Sequence, residues 1–130
     1  MSLVYSFDRE RFKPLVAAYL NANFNFNEIS PELKKPIRIY VHDTIPHIWL
    51  SDGYHFIECH FTKDAINDFR KNHSNVKFAG LRDKILVVTK WRLIRKYEDS
   101  KKSWTSYQNL SVHLVVENFR PLLYERPQPR

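Results

Sequence analysis

One short helix pattern interrupts a run of β-strand patterns, and its position limits the possible folds more than any other feature. It ends the stretch WLSDGYHFIECHFTKDAINDF, residues 49–69. Ser51-Asp52-Gly53 is turn chemistry, because Asp and Gly tolerate positive φ and close hairpins. Residues 47–50 and 54–61 flank it as two strands. In the second arm Phe56, Glu58 and His60 share one face. Ile57, Cys59 and Phe61 share the other, the side expected to meet the core. Thr62 then caps a helix over 63–71 that turns Ala65, Ile66 and Phe69 inward.

The remaining elements fall around this unit. Residues 37–41, IRIYV, alternate as a first strand, and 84–97, KILVVTKWRLIRKY, form a long fourth strand. Residues 109–119 form the last, with Val112, Leu114 and Val116 on one face. The tail RPLLYERPQPR, rich in proline, is expected to leave the sheet. Ahead of the strands, residues 8–22 read as a helix. Asp8 is its cap, Pro14 suits its first turn, and Leu15, Val16, Tyr19 and Leu20 form its apolar stripe. Residues 23–36 read as a loop. The order helix, three strands, helix, two strands predicts a mainly β fold: a five-stranded OB-fold barrel. Its one inserted helix lies between strands 3 and 4, and a short helix precedes the barrel. A ferredoxin-like sheet would place its helices differently. No repeat or linker divides residues 1–130, so a single OB-fold domain is expected.

Composition narrows the setting. No apolar run approaches the roughly 20 residues of a membrane span, and the first residues lack the apolar core of a secretory signal. The single cysteine, Cys59, cannot form an internal disulfide, which points to a reducing compartment, cytosol or nucleus. A net charge of +7 favours nucleic acid or an acidic protein surface as partner.

Catalytic and metal chemistry find little support in the motifs. On a strand His55 and His60 face opposite sides, and so do Cys59 and His60, so they do not converge as a closed zinc site needs. There is no CxxC, HExxH, GxSxG or Walker pattern. An enzyme, a metal and a cofactor are therefore not expected. The stretch 90–102 is more informative: Lys90, Arg92, Arg95, Lys96, Lys101 and Lys102 stand against Glu98 and Asp99 only. Trp91, Tyr97, Trp104 and Tyr107 interleave with them. Cations track phosphates and aromatics stack bases, which makes Arg92, Lys101, Lys102 and Trp104 candidates for gripping a single strand between strands 4 and 5. A solvated hairpin tip is the competing reading.

The Ser-Asp-Gly hairpin followed by His, the Cys before a Thr-capped helix and the Ala in that helix's first turn carry a resemblance. So do Phe78-Ala-Gly-Leu-Arg-Asp-Lys-Ile-Leu-Val-Val88, the closing residues 116–130, and Phe12-Lys-Pro-Leu-Val-Ala-Ala-Tyr-Leu20. Over residues 9–130 the chain resembles the telomerase-recruiting OB domains typified by the adrenocortical dysplasia protein of shelterin. It also resembles their yeast counterparts, including the third Ever Shorter Telomeres protein. The resemblance implies an adaptor, not an enzyme, that acts in the nucleus at the telomeric region of chromosomes. Its expected partner is the telomerase catalytic subunit or holoenzyme, together with other telomere proteins. The family's recruiting patch falls here on Lys84, Val87, Leu122 and Glu125. Its acidic cluster falls on Asn72, His73 and Asn75, none of them acidic, so Lys77 and Arg82 are expected to take over that part. Single-stranded telomeric DNA or telomerase RNA, bound directly, is the alternative. The resemblance leaves open both a stand-alone protein and one domain of a longer subunit.

Overall fold

The computed structural model describes residues 10–45, 47–98 and 109–122, with only the backbone described at 97, 98 and 109–111. Helix α1 (Phe12–Asn21) precedes the strands β1 (Ile37–Asp43), β2 (Ile48–Ser51) and β3 (Phe56–Phe61). Helix α2 (Lys63–Asn72) follows, then β4 (Ile85–Glu98) and β5 (Asn109–Leu122). The strands close into a barrel in the order β1-β2-β3-β5-β4. β4 returns to β1 with Ile37 opposite Val88, and β3 runs parallel to β5 with Cys59 opposite Leu114. This is the expected OB-fold, with its helix between the third and fourth strands.

Alternation builds the interior. Ile37, Ile39 and Val41 of β1, Leu50 of β2 and Ile57 and Cys59 of β3 point inward. They meet Leu86, Val88, Trp91 and Leu93 of β4 and Leu114 and Val116 of β5. Irregular pairing between Val88 and Trp91 bends β4, as a long strand must bend to wrap a small core. Thr62 caps α2 as expected, its Oγ1 accepting the Ala65 N–H at 3.1 Å, and Ala65 and Phe69 are buried. Phe61, expected inside, is only half-buried and packs edge-on against Phe78 and Phe119 beneath α2.

Three further expectations need correction. Helix α1 begins at Phe12, later than expected, and Arg11 at its N-cap supplies no side-chain bond; Asp8 lies outside the described residues. The hairpin replaces the missing cap: the Phe12 N–H donates to Asp52 Oδ2 at 2.8 Å. Its buried stripe is Phe12, Leu15 and Tyr19, while Leu20 is exposed. Residues 23–36 are not a plain loop but hold two 3₁₀ turns, Phe26–Glu28 and Pro31–Lys34. They bury Ile29 and set Phe26 edge-on to Trp91. Finally, β5 does not end at Phe119: Pro121 pairs opposite Leu86 and Leu122 opposite Ile85. Among the described residues β3 pairs β5 only near Leu114 to Val116, so the missing Pro121 N–H falls where one side of β5 has no such described partner.

Candidate functional site

The outer surface of β1–β3 gathers aromatic side chains. Inward Ile39 and Val41 force Tyr40 and His42 outward on β1, and inward Ile57 forces Phe56 outward on β3. The register places Tyr40, Ser51 and Phe56 in one row across the three strands. The His42 and Phe56 rings stack at 4.1 Å and 21°, and Tyr40 Oη lies 3.4 Å from His42 Nδ1. Phe56 keeps 56% of its surface exposed and Tyr54 58%. Arg82 borders this row, acting electrostatically on both Tyr40 and Asp43. Burial raises the Tyr40 phenol above its ordinary range, with Asp83 adding to the effect and Arg82 opposing it. The N–H groups of Thr44 and Ile45 bind Asp43 and hold its carboxyl below the usual range. Exposed flat rings beside a cation are the parts with which OB-folds hold single strands.

A second cluster lies across the β3–β5 seam. Glu58 and His60 face outward from β3, and His113 faces outward from β5, where it is almost fully buried. His60 Nε2 and His113 Nδ1 are 2.7 Å apart, so one ring donates and the other accepts. Desolvation, then the charges of Lys96 and His113, lower the His60 pKa. Cys59 points the opposite way, into the core, and burial pushes its thiol well above its ordinary value. His55 is directed to Asp52 instead, its Nδ1 3.8 Å from Oδ1. The divergence of His55, Cys59 and His60 holds, but His60 meets two other potential metal ligands. Alternation made His60 and Glu58 legible as outward residues. The parallel register that brings His113 beside them was not.

The anticipated recruiting residues occupy the far end of α2 and the entrance to β4. Asn72 ends α2, His73 follows with its ring over Phe69 at 5.3 Å, and Asn75 is exposed in the next turn. Lys77 and Arg82, both exposed, flank the 3₁₀ turn Phe78–Leu81. Lys84 is half-buried and its carbonyl accepts the Val41 N–H at 2.8 Å. Leu122, also half-buried, sits opposite Ile85, the residue after Lys84. Val87 is buried, between Arg38 of β1 and Arg120 of β5. Arg92 lies on the β4–β5 surface, bonded to Glu117 at 3.1 Å, with Lys90 3.5 Å from the same carboxylate. Glu125, Lys101, Lys102 and Trp104 lie outside the described residues.

Comparison with known proteins agrees with this architecture. The Est3 telomerase subunit of the yeast Hansenula polymorpha superposes with a TM-score of 0.63, at 12% identity, over 97% of this chain and 76% of that one. It shares the fold. The telomere-binding protein subunit beta of Stylonychia mytilus is 40% identical over 118 residues, and that of Sterkiella nova 39%. These stretches are 91% of this chain, and the chain spans only 30% and 31% of the length of those relatives. The family model of the telomere-binding protein beta subunit matches residues 21–130. The chain thus belongs to the telomere-binding protein beta subunit (TEBP beta) family.

Proposed function

We propose that this chain is a non-catalytic OB-fold module of chromosome ends that holds single-stranded telomeric DNA across its β1–β3 surface. The observation that carries this reading is the aromatic row of half-buried Tyr40 and exposed His42 and Phe56, bordered by Arg82. Its place on the barrel is the one OB-folds use for oligonucleotides. The net charge of +7 and the names of the relatives agree with it. The test is fluorescence anisotropy with a labelled telomere-repeat oligonucleotide. Stacking is worth about 1–3 kcal/mol per base, so Phe56→Ala should weaken binding about tenfold or more in a folded protein. Unchanged affinity would remove the aromatic row from the function.

A second reading is recruitment of telomerase. The exposed residues Asn72, Asn75, Lys77 and Arg82, spread from the end of α2 to the entrance of β4, favour it, since exposed charges at an interface rim steer association and select partners. Lys84 and Leu122 would extend that surface along the barrel. Charge reversal at Lys77 or Arg82 should then abolish capture of the telomerase catalytic subunit while the barrel stays folded. Capture that survives both reversals would leave the DNA reading alone. In either reading the chain works in the nucleus, at telomeres.

A further inference from the structure

The seam where β3 meets β5 carries a cluster that neither reading above uses. His113 precedes Leu114, the partner of Cys59, and so lies abreast of Glu58 on the outer surface. The His60 and His113 ring planes differ by 5° with centroids 5.0 Å apart, while their nearest nitrogens are 2.7 Å apart. Rings stacked face to face keep their atoms about 3.5 Å apart. These two therefore meet edge to edge in one plane, nitrogen against nitrogen, with one proton between them. Glu58 Oε2 lies 3.8 Å from His60 Nε2 and 3.6 Å from His113 Nδ1. The three donor atoms are all within 4.8 Å of one another.

We propose that Glu58, His60 and His113 form a binding site for a divalent transition-metal ion of the zinc class, which takes the place of that shared proton. Two imidazole nitrogens and one carboxylate oxygen are a zinc donor set, whereas magnesium and calcium prefer oxygen throughout. Donors about 2.0–2.1 Å from a tetrahedral ion lie about 3.3 Å from each other. Both Glu58 distances are already near that value. The gap between the histidines must open by about 0.6 Å on the same geometry, and the His60 ring must turn so that both nitrogen lone pairs point at the ion. The His60 side chain is 37% exposed and is the one that would move, whereas that of His113 is 7% exposed and stays with the barrel. His47, whose Nδ1 is 3.8 Å from Glu58 Oε2, stands at the edge of the cluster on the β1–β2 connection, where it or a water would complete the coordination. Lys96 of β4 acts on His60 electrostatically and opposes the cation, while the Glu58 charge favours it. The ion would clasp β3 to β5 where their ladder is short.

The test uses the 130-residue chain without a histidine tag, stripped with chelator, and titrated calorimetrically with zinc chloride. The expected result is one ion per chain and a melting temperature that rises with zinc but not with magnesium. Cobalt should give visible ligand-field bands without thiolate charge-transfer absorption, because Cys59 faces the core. His60→Ala and Glu58→Gln, each checked for fold by circular dichroism, should weaken zinc binding at least about tenfold. His55→Ala should leave it unchanged. Absence of binding, a thiolate band, or undiminished affinity in either folded variant would overturn the site.

Discussion

Asp52 is fully buried, yet its carboxylate accepts the backbone N–H groups of Phe12, Tyr54 and His55, at 2.8, 3.0 and 2.7 Å. One oxygen closes the turn before β3 and the other starts α1, joining segments 40 residues apart. Removing the carboxylate leaves three donors without an acceptor, two of them at the turn. Asp52→Ala should therefore destabilise the protein by about 3 kcal/mol, read from urea unfolding. Asp52→Asn, which keeps one acceptor oxygen, should lose less. A loss below about 0.5 kcal/mol, the level of an ordinary surface change, would show that α1 needs no such anchor. Cys59 makes the opposite kind of residue-scale prediction. Burial, then the Glu58 charge, raises its thiol well above the ordinary thiol range, so the folded state keeps the proton. Folded Cys59 should resist alkylation at mildly alkaline pH and react promptly once unfolded. The linkage sign follows: above the ordinary thiol pKa the unfolded chain releases this proton and the folded one does not. Stability should accordingly fall as pH rises through that range.

At the scale of elements, the helix that carries its own start signal is α2. Thr62 supplies the cap, Asp64 stands in the first turn, Arg70 and Lys71 in the last, and Ala65 and Phe69 form the inward stripe. Thr62→Ala should cost about 1 kcal/mol and lower the melting temperature by about 5 °C, as calorimetry would register. Local signals of this kind are why α2, the inward face of β1 and the alternation of β3 were legible in the sequence. Helix α1 was less so, because its N-terminal acceptor, Asp52, comes from a distant turn and not from a neighbouring residue. The end of β5 was misread for a related reason. Proline usually ends a strand, but whether its missing donor matters depends on which strands flank it, and that is set by topology. The aromatic row divides the same way. Phe56 was recognisable as outward from alternation within β3, whereas its meeting with His42 required the registers of β1 on β2 and β2 on β3.

At the scale of the whole molecule, two kinds of force would hold a strand on this barrel, and they respond differently to salt. Rings such as Phe56 stack on bases without engaging counterions. Cations such as Arg82 displace condensed ions, so log affinity falls against log salt by about 0.7 per phosphate neutralised on a single strand. The charge of +7 on 130 residues gives the protein a long-range attraction for nucleic acid, but only cations close to the strand add to the slope. Arg92 and Lys90 already share the Glu117 carboxylate on another part of the surface, so neutralising them should leave the slope nearly unchanged. Arg82→Gln should reduce it by about 0.7 and weaken binding most at low salt. Phe56→Ala should shift the whole line downward without changing its tilt. Anisotropy titrations across a salt series on the unaltered protein and on each of these variants distinguish the outcomes. If Phe56→Ala flattened the slope and Arg82→Gln did not, the strand would lie on some other surface than β1–β3, and the stacking row would have to serve a protein partner.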